Sequence, residues 1–176
     1  MSHYPIKSYV PRIQGNLINF RIETPFPNCK VDDILQYFTN PVKKMEYDVS
    51  VEYAHTVPVE VPMNSSLVYA KLKTIWPVGI RDFLMFTHVV KHKDECWFQG
   101  FSTKHQSCPV PKGMIRINIE ETLVYFQPKP DINGYNVKVD TTFCYGGAFP
   151  VSAVAPIAVS DSIGPWVNLQ KILCDN

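Results

Sequence analysis

Two stretches of this chain alternate, residue by residue, between apolar and polar side chains. Ile115, Ile117 and Ile119 stand against Arg116, Asn118 and Glu120, and Val137, Val139, Thr141 and Phe143 stand against Asn136, Lys138, Asp140 and Thr142. A side-chain period of two is that of a strand, and one apolar face beside one wet face is what an antiparallel sheet covered on one side requires. The chain is therefore predicted to build such a sheet and to need a cover for it.

The same reasoning places strands over residues 16–24, 49–57, 67–74, 83–91, 96–105, 112–121 and 135–145. In the second of these Val49, Val51 and Tyr53 share a side; in the third Val68, Ala70, Leu72 and Thr74 oppose Tyr69, Lys71 and Lys73. The run 83–91 is apolar on both faces and so belongs in the middle of the sheet. Turn signals at Pro77-Val78-Gly79, at Lys93-Asp94 and over residues 108–113 and 128–134 separate the strands.

The cover comes from the C-terminal stretch, residues 146–176. It starts at Gly146-Gly147, runs through small and branched apolar residues from Val151 to Val159, meets a break at Ile163-Gly164-Pro165-Trp166, and ends in an amphipathic turn over residues 167–173. It is too short and too interrupted by proline to span a bilayer, which takes ~20 consecutive apolar residues, so it is expected to pack as a helix. A first helix is predicted over residues 30–38, with Asp32 and Asp33 in its first turn, Val31, Ile34, Leu35 and Phe38 on one face, and Asn40-Pro41 ending it. A second short helical or turn segment follows over 42–48, and residues 1–15, with Pro5, Pro11 and Gly15, read as an extended arm on a single domain formed by 16–176.

Seventeen basic and sixteen acidic side chains leave a net charge of +1 with no basic run, so nucleic acid is not an expected partner. The five cysteines are an odd number without a Cys-x-x-Cys pair and read as reduced, mostly buried thiols. With no secretory-type apolar core near the start and Ser2 where myristoylation needs glycine, the expected compartment is the cytoplasm. His88, His92 and Cys96 have a spacing that would suit metal ligands on a helix, but they fall on a strand and a turn, so no metal is expected there. No base or oxyanion donor is legible beside Cys144, which is expected to be an inert thiol.

The order of several short motifs is similar to that of a known family. The motifs are Lys44-Met45-Glu46-Tyr47-Asp48, Pro77-Val78-Gly79-Ile80-Arg81-Asp82-Phe83, the strand from Cys96 to Thr103, Lys112-Gly113-Met114-Ile115-Arg116, and Tyr145-Gly146-Gly147-Ala148-Phe149-Pro150 before a last helix. From about residue 16 to the C-terminus they resemble the START (steroidogenic acute regulatory protein-related lipid transfer) domains. The resemblance implies an α+β helix-grip fold: a curved antiparallel sheet wrapped around a long C-terminal helix, with an internal hydrophobic tunnel. It implies a non-enzymatic, monomeric carrier that needs no cofactor, holds one lipid (phospholipid, sphingolipid, fatty-acyl or sterol) and touches membrane surfaces transiently to transfer it. The alternatives within the same fold are an enzyme or accessory such as an acyl hydrolase or cyclase, and a ligand-gated interaction sensor.

Strand parity then names the residues that would line such a tunnel. They are Val68, Ala70 and Leu72; Met85 and Thr87; Phe98, Gly100 and Ser102; Ile115 and Ile117; Val139, Thr141, Phe143 and Tyr145; and, from the helix, Val154, Ile157 and Trp166. Each taken singly is equally an ordinary core residue, but Thr87, Ser102, Thr141 and Tyr145 set hydroxyls on apolar faces, as ligand cavities do. Arg81, Asp82 and Arg116 are expected to form an ion pair or turn clamp. At Gly164-Pro165 a rigid kink with Trp166 in the core is expected over a hinge for a lid.

Overall fold

The computed structural model describes residues 4–74, 79–148 and 150–175, and of residues 157–161 the backbone alone. In chain order the elements are strands β1 (Lys7–Ser8), β2 (Arg12–Gln14) and β3 (Leu17–Phe26), helices α1 (Val31–Thr39) and α2 (Pro41–Tyr47), and strands β4 (Val51–Thr56), β5 (Ser65–Leu72), β6 (Arg81–His92) and β7 (Glu95–Ser102). Then come β8 (Ile115–Arg116), β9 (Asn118–Lys129), β10 (Gly134–Cys144) and helix α3 (Val151–Cys174). The sheet runs β1-β3-β10-β9-β7-β6-β5-β4, antiparallel at every step, with β2 also on β3 and the short β8 parallel to β6. This is the helix-grip architecture: a sheet covered on one face by α1, α2 and the long α3, with the main core between them.

Within the N-terminal arm, exposed strands β1 and β2 pair with β3, and β2 joins it through Gly15, whose φ of 60° suits the first position of a two-residue hairpin turn. Asn40-Pro41, expected only to end the first helix, also begins the second: the Asn40 side chain accepts a hydrogen bond from the Val42 N–H at 3.0 Å and Pro41 occupies the first turn.

Two strands depart from simple alternation because each contains an irregular register. Between Val51 and Tyr53 the pairing to β5 skips a residue, so Val51 and Ala54 are buried while Tyr53, expected on the side of Val51, is 51% exposed; Val49, ahead of the strand, is 60% exposed and borders the inner cavity. In β9 the partner of Thr142 is Glu121 and that of Phe143 is Ile119. The extra residue reverses the parity, so Ile117 and Ile119 before it and Thr122 and Val124 after it all line the inner cavity. That strand also continues to Lys129, through what was read as a turn. Pro128 is tolerated because the pairing with β7 ends at Phe126, leaving a neighbour on one side only.

The expected break at Ile163-Gly164-Pro165-Trp166 is absent, for α3 is a single helix of 24 residues with both Pro156 and Pro165 inside it. At ~1.5 Å per residue it is about 36 Å long. Its last turns are held to β3: Leu169 is fully buried, and the Gln170 side-chain amide donates to Thr24 Oγ1 at 2.7 Å and to the Pro25 carbonyl at 3.0 Å. The Cys174 and Cys29 sulfurs lie 3.8 Å apart as free thiols at the same end. The turn expected at Pro77-Val78-Gly79 falls, except for Gly79, outside the described residues.

Gly134, where the chain enters β10, lies against the end of β3. A Cβ there would sit 2.1 Å from the Phe26 carbonyl oxygen and 3.0 Å from Pro27 Cα, both backbone atoms. Gly134→Ala is expected to destabilise the fold by about 1–3 kcal/mol through this overpacking. Urea unfolding would check it, and an unchanged midpoint would mean that the two backbones separate freely.

Candidate functional site

A cavity of about 500 Å³ lies between the inner face of the sheet and the helices. The strands supply its walls through residues of one parity: Phe20 from β3, Phe83 and Met85 from β6, Phe98 from β7, and Val139, Thr141 and Phe143 from β10, with Ile117, Ile119, Thr122 and Val124 from around the β9 bulge. Phe38 of α1 and Trp166 of α3 close it on the helical side. Their ring centres are 5.4 Å apart, and Phe38 also meets Phe126 at 5.4 Å and Phe98 at 5.7 Å. Phe143 similarly packs against Phe20 at 6.0 Å and Tyr145 at 6.2 Å. Within this apolar lining the Thr141 hydroxyl bonds the Thr122 hydroxyl at 3.3 Å, so the two satisfy each other across neighbouring strands.

The other polar groups come from the turn between α2 and β4 and from the end of β5. Lys44 Nζ donates to Asp48 Oδ2 at 2.7 Å, and Asp48 Oδ1 accepts from the Ser50 hydroxyl at 2.5 Å and the Ser50 N–H at 3.2 Å. The Lys73 N–H donates to the Ser50 carbonyl at 2.8 Å, which ties the end of β5 to this turn. Burial works to lower the pKa of Lys44, but the charge of Asp48 and the phenol of Tyr47 outweigh it, so the ammonium is held above its usual range. Burial raises the Tyr47 phenol. Tyr47, Val49, Ser50, Leu72, Lys73 and, from α3, Ser162, Gly164 and Pro165 also belong to the described lining.

At the junction between β10 and α3 the two arginines act as braces. Arg81, 1% exposed, donates from Nε to the Tyr145 carbonyl at 3.0 Å and from Nη2 to the Gly146 carbonyl at 3.1 Å, and its guanidinium stands 4.5 Å over the Tyr145 ring. Burial lowers its pKa. A Cβ on Gly147, whose φ is 89°, would come within 3.0 Å of Arg81 Nη2, so the turn that launches α3 can close on the arginine only without a side chain there. Asp82, wholly buried, is held by Arg116 through Nε–Oδ1 at 3.0 Å and Nη2–Oδ2 at 2.7 Å, and Arg116 Nη1 donates to the Cys108 carbonyl at 2.9 Å. The expected clamp is thus the observed role of all three residues.

Of the residues expected from parity, Leu72, Met85, Phe98, Ile117, Val139, Thr141, Phe143, Tyr145 and Trp166 line the cavity. Others lie elsewhere. Val68, Ala70 and Val154 are buried away from it, and Ile115 packs under the Gly146-Gly147 turn. Thr87 donates to the Ser66 carbonyl at 3.2 Å; Ser102 donates to the Ile117 carbonyl and accepts from the Ile119 N–H. Both hydroxyls are spent on backbone. Gly100 makes room for Met85, whose sulfur would be 2.7 Å from a Cβ at that position. The side chain of Ile157 lies outside the described residues. Phe20, Phe38, Lys44, Tyr47, Asp48, Val49, Ser50, Lys73, Phe83, Ile119, Thr122, Val124 and Ser162 also line it and do not follow from the expected set. Parity from Leu17 to Glu23 could have found Phe20, whereas Thr122 and Val124 depend on the bulge.

Among the described residues no three His, Cys, Asp or Glu side chains are grouped so as to hold a metal. His88 instead bonds the Ser65 hydroxyl at 2.8 Å.

No protein-family model matches the chain, and no curated protein is similar to it in sequence. Solved structures do share its fold. Human STARD10 superposes with a TM-score of 0.75 at 10% identity, over 96% of this chain and 73% of that one. A STAR-related lipid transfer protein from Xanthomonas axonopodis gives 0.78 at 19% identity, over 96% and 93%. The di-domain ARO/CYC StfQ from the steffimycin biosynthetic pathway gives 0.57 at 15% identity, over 90% and 51%. The chain therefore has the helix-grip fold seen in START domains.

Proposed function

We propose that this protein binds one lipid in the cavity under α3 and carries it between membranes without chemical change. The observation that carries this reading is the cavity itself, with its lining of Phe, Ile, Val, Leu and Met side chains beneath a helix. Burying apolar chain there is favourable by about 0.8 kcal/mol per methylene, so eight methylenes contribute ~6 kcal/mol before ordering costs. No reacting group is needed for that, and the one carboxylate in the described lining, Asp48, already accepts three hydrogen bonds. A STAR-related lipid transfer protein of the same fold supports the reading.

The carrier acts as a cytoplasmic monomer that touches the membrane transiently. No described helix is long and apolar enough to cross a membrane. Native mass spectrometry of the purified protein is expected to find one lipid per chain, and fluorescent-lipid transfer between donor and acceptor vesicles is expected to speed up in its presence. A chain that carries no lipid and accelerates no transfer, or that turns over acyl esters, would overturn the proposal.

A further inference from the structure

We infer that the occupant is a single-chain amphiphile with an anionic head, its tail among the aromatic and aliphatic walls and its head between Lys44 and Lys73. The inference rests on the lipid-binding reading and narrows it by size and by charge.

Size comes first. If a methylene is given the ~30 Å³ that a water molecule occupies in the liquid, a cavity of about 500 Å³ takes a chain of roughly sixteen carbons. A lipid with two long acyl chains has more than twice that number of heavy atoms, and a sterol with its side chain also exceeds it.

Charge comes from the polar residues of the lining. Its one described carboxylate, Asp48, is saturated by Lys44 Nζ, the Ser50 hydroxyl and the Ser50 N–H. Against it stand two ammonium groups, Lys44, a quarter of whose side chain is exposed, and Lys73, which is exposed and has no ion-pair partner among the described residues. The Ser50–Lys73 backbone bond brings Lys73 beside the turn after α2, where Asp48 accepts from Lys44, so among the described lining residues one positive charge is unmatched. A head with a negative charge and oxygen acceptors satisfies it; a neutral alcohol of equal length does not. The shared chemistry is an oxyanion on one chain, and it occurs both in a fatty-acid carboxylate and in the phosphate of a lysophospholipid.

The test is a titration of the full-length protein with palmitate, palmitoyl lysophosphatidate, hexadecanol, cholesterol and dipalmitoyl phosphatidylcholine, read by calorimetry and native mass spectrometry. Palmitate, lysophosphatidate or both are expected to bind one per chain and about tenfold more tightly than hexadecanol, the size of one charge-assisted hydrogen bond. Which of the two binds more tightly identifies the source of the oxyanion. Lys73→Glu, on an exposed side chain, is expected to weaken the anionic ligands about fivefold relative to hexadecanol. Equal binding of palmitate and hexadecanol, or no response to Lys73→Glu, overturns the charge assignment. Tighter binding of the sterol or the two-chain lipid overturns the size assignment while the carrier reading stands. Binding of none of the five overturns that reading, and the inference with it.

Discussion

Arg116→Ala is expected to destabilise the protein by about 3–5 kcal/mol, because it leaves the Asp82 carboxylate buried without its partner. Asp82 is wholly shielded from solvent and receives both of its charge-assisted bonds from Arg116, at 3.0 and 2.7 Å. The parallel pairing of β8 with β6 brings the two into register, and Arg116 Nη1 fastens the loop at Cys108 as well. Removing both charges together, as in Asp82→Leu with Arg116→Met, is expected to cost far less than the single change, since no uncompensated ion remains. Urea unfolding of the wild type, each single variant and the double variant checks this. Additive losses would mean that the pair contributes nothing as a pair.

The second large effect is functional. Ile119 faces the cavity beside the β9 bulge, opposite Phe143, and Ile119→Trp is expected to fill part of the space that a lipid tail would take. Binding of any chain-bearing ligand should fall more than tenfold, as the tail loses room for several methylenes at about 0.8 kcal/mol each. Stability should change little, because the added ring enters existing space; overpacking a filled core would instead cost about 1–3 kcal/mol. Unaltered binding by a folded Ile119→Trp protein would place the ligand elsewhere. A folded protein that loses binding while Met63→Ala, an exposed change, leaves binding intact supports the cavity.

How far these features could be read in advance varies by residue. Leu35, Phe98, Val139 and Phe143 follow from local periodicity alone, which is a property of the backbone and needs no knowledge of neighbours. The arginines were legible as braces from their place at turns, though their acceptors were not: Tyr145 and Gly146 are 64 and 65 residues from Arg81. Local alternation puts Tyr53 on the wrong side and does not reach Thr122, since in each strand one extra residue in the pairing reverses the parity, and pairing involves a second strand. Lys44 and Asp48 stand four residues apart and pair locally, but Lys73 joins them only where β5 is tied to the turn after α2.

Local pattern by itself determined that this chain builds a one-sided sheet capped by a C-terminal helix, because a period of two and an apolar tail each declare which face must leave water. Tertiary structure alone decided the rest. It kept α3 continuous through Pro165, chose which inward residues border open space and which border protein, and, among the described lining residues, set two lysines against one carboxylate. Those outcomes depend on register and on contacts across the whole chain, where the energy of packing, rather than the preference of any short segment, selects the arrangement.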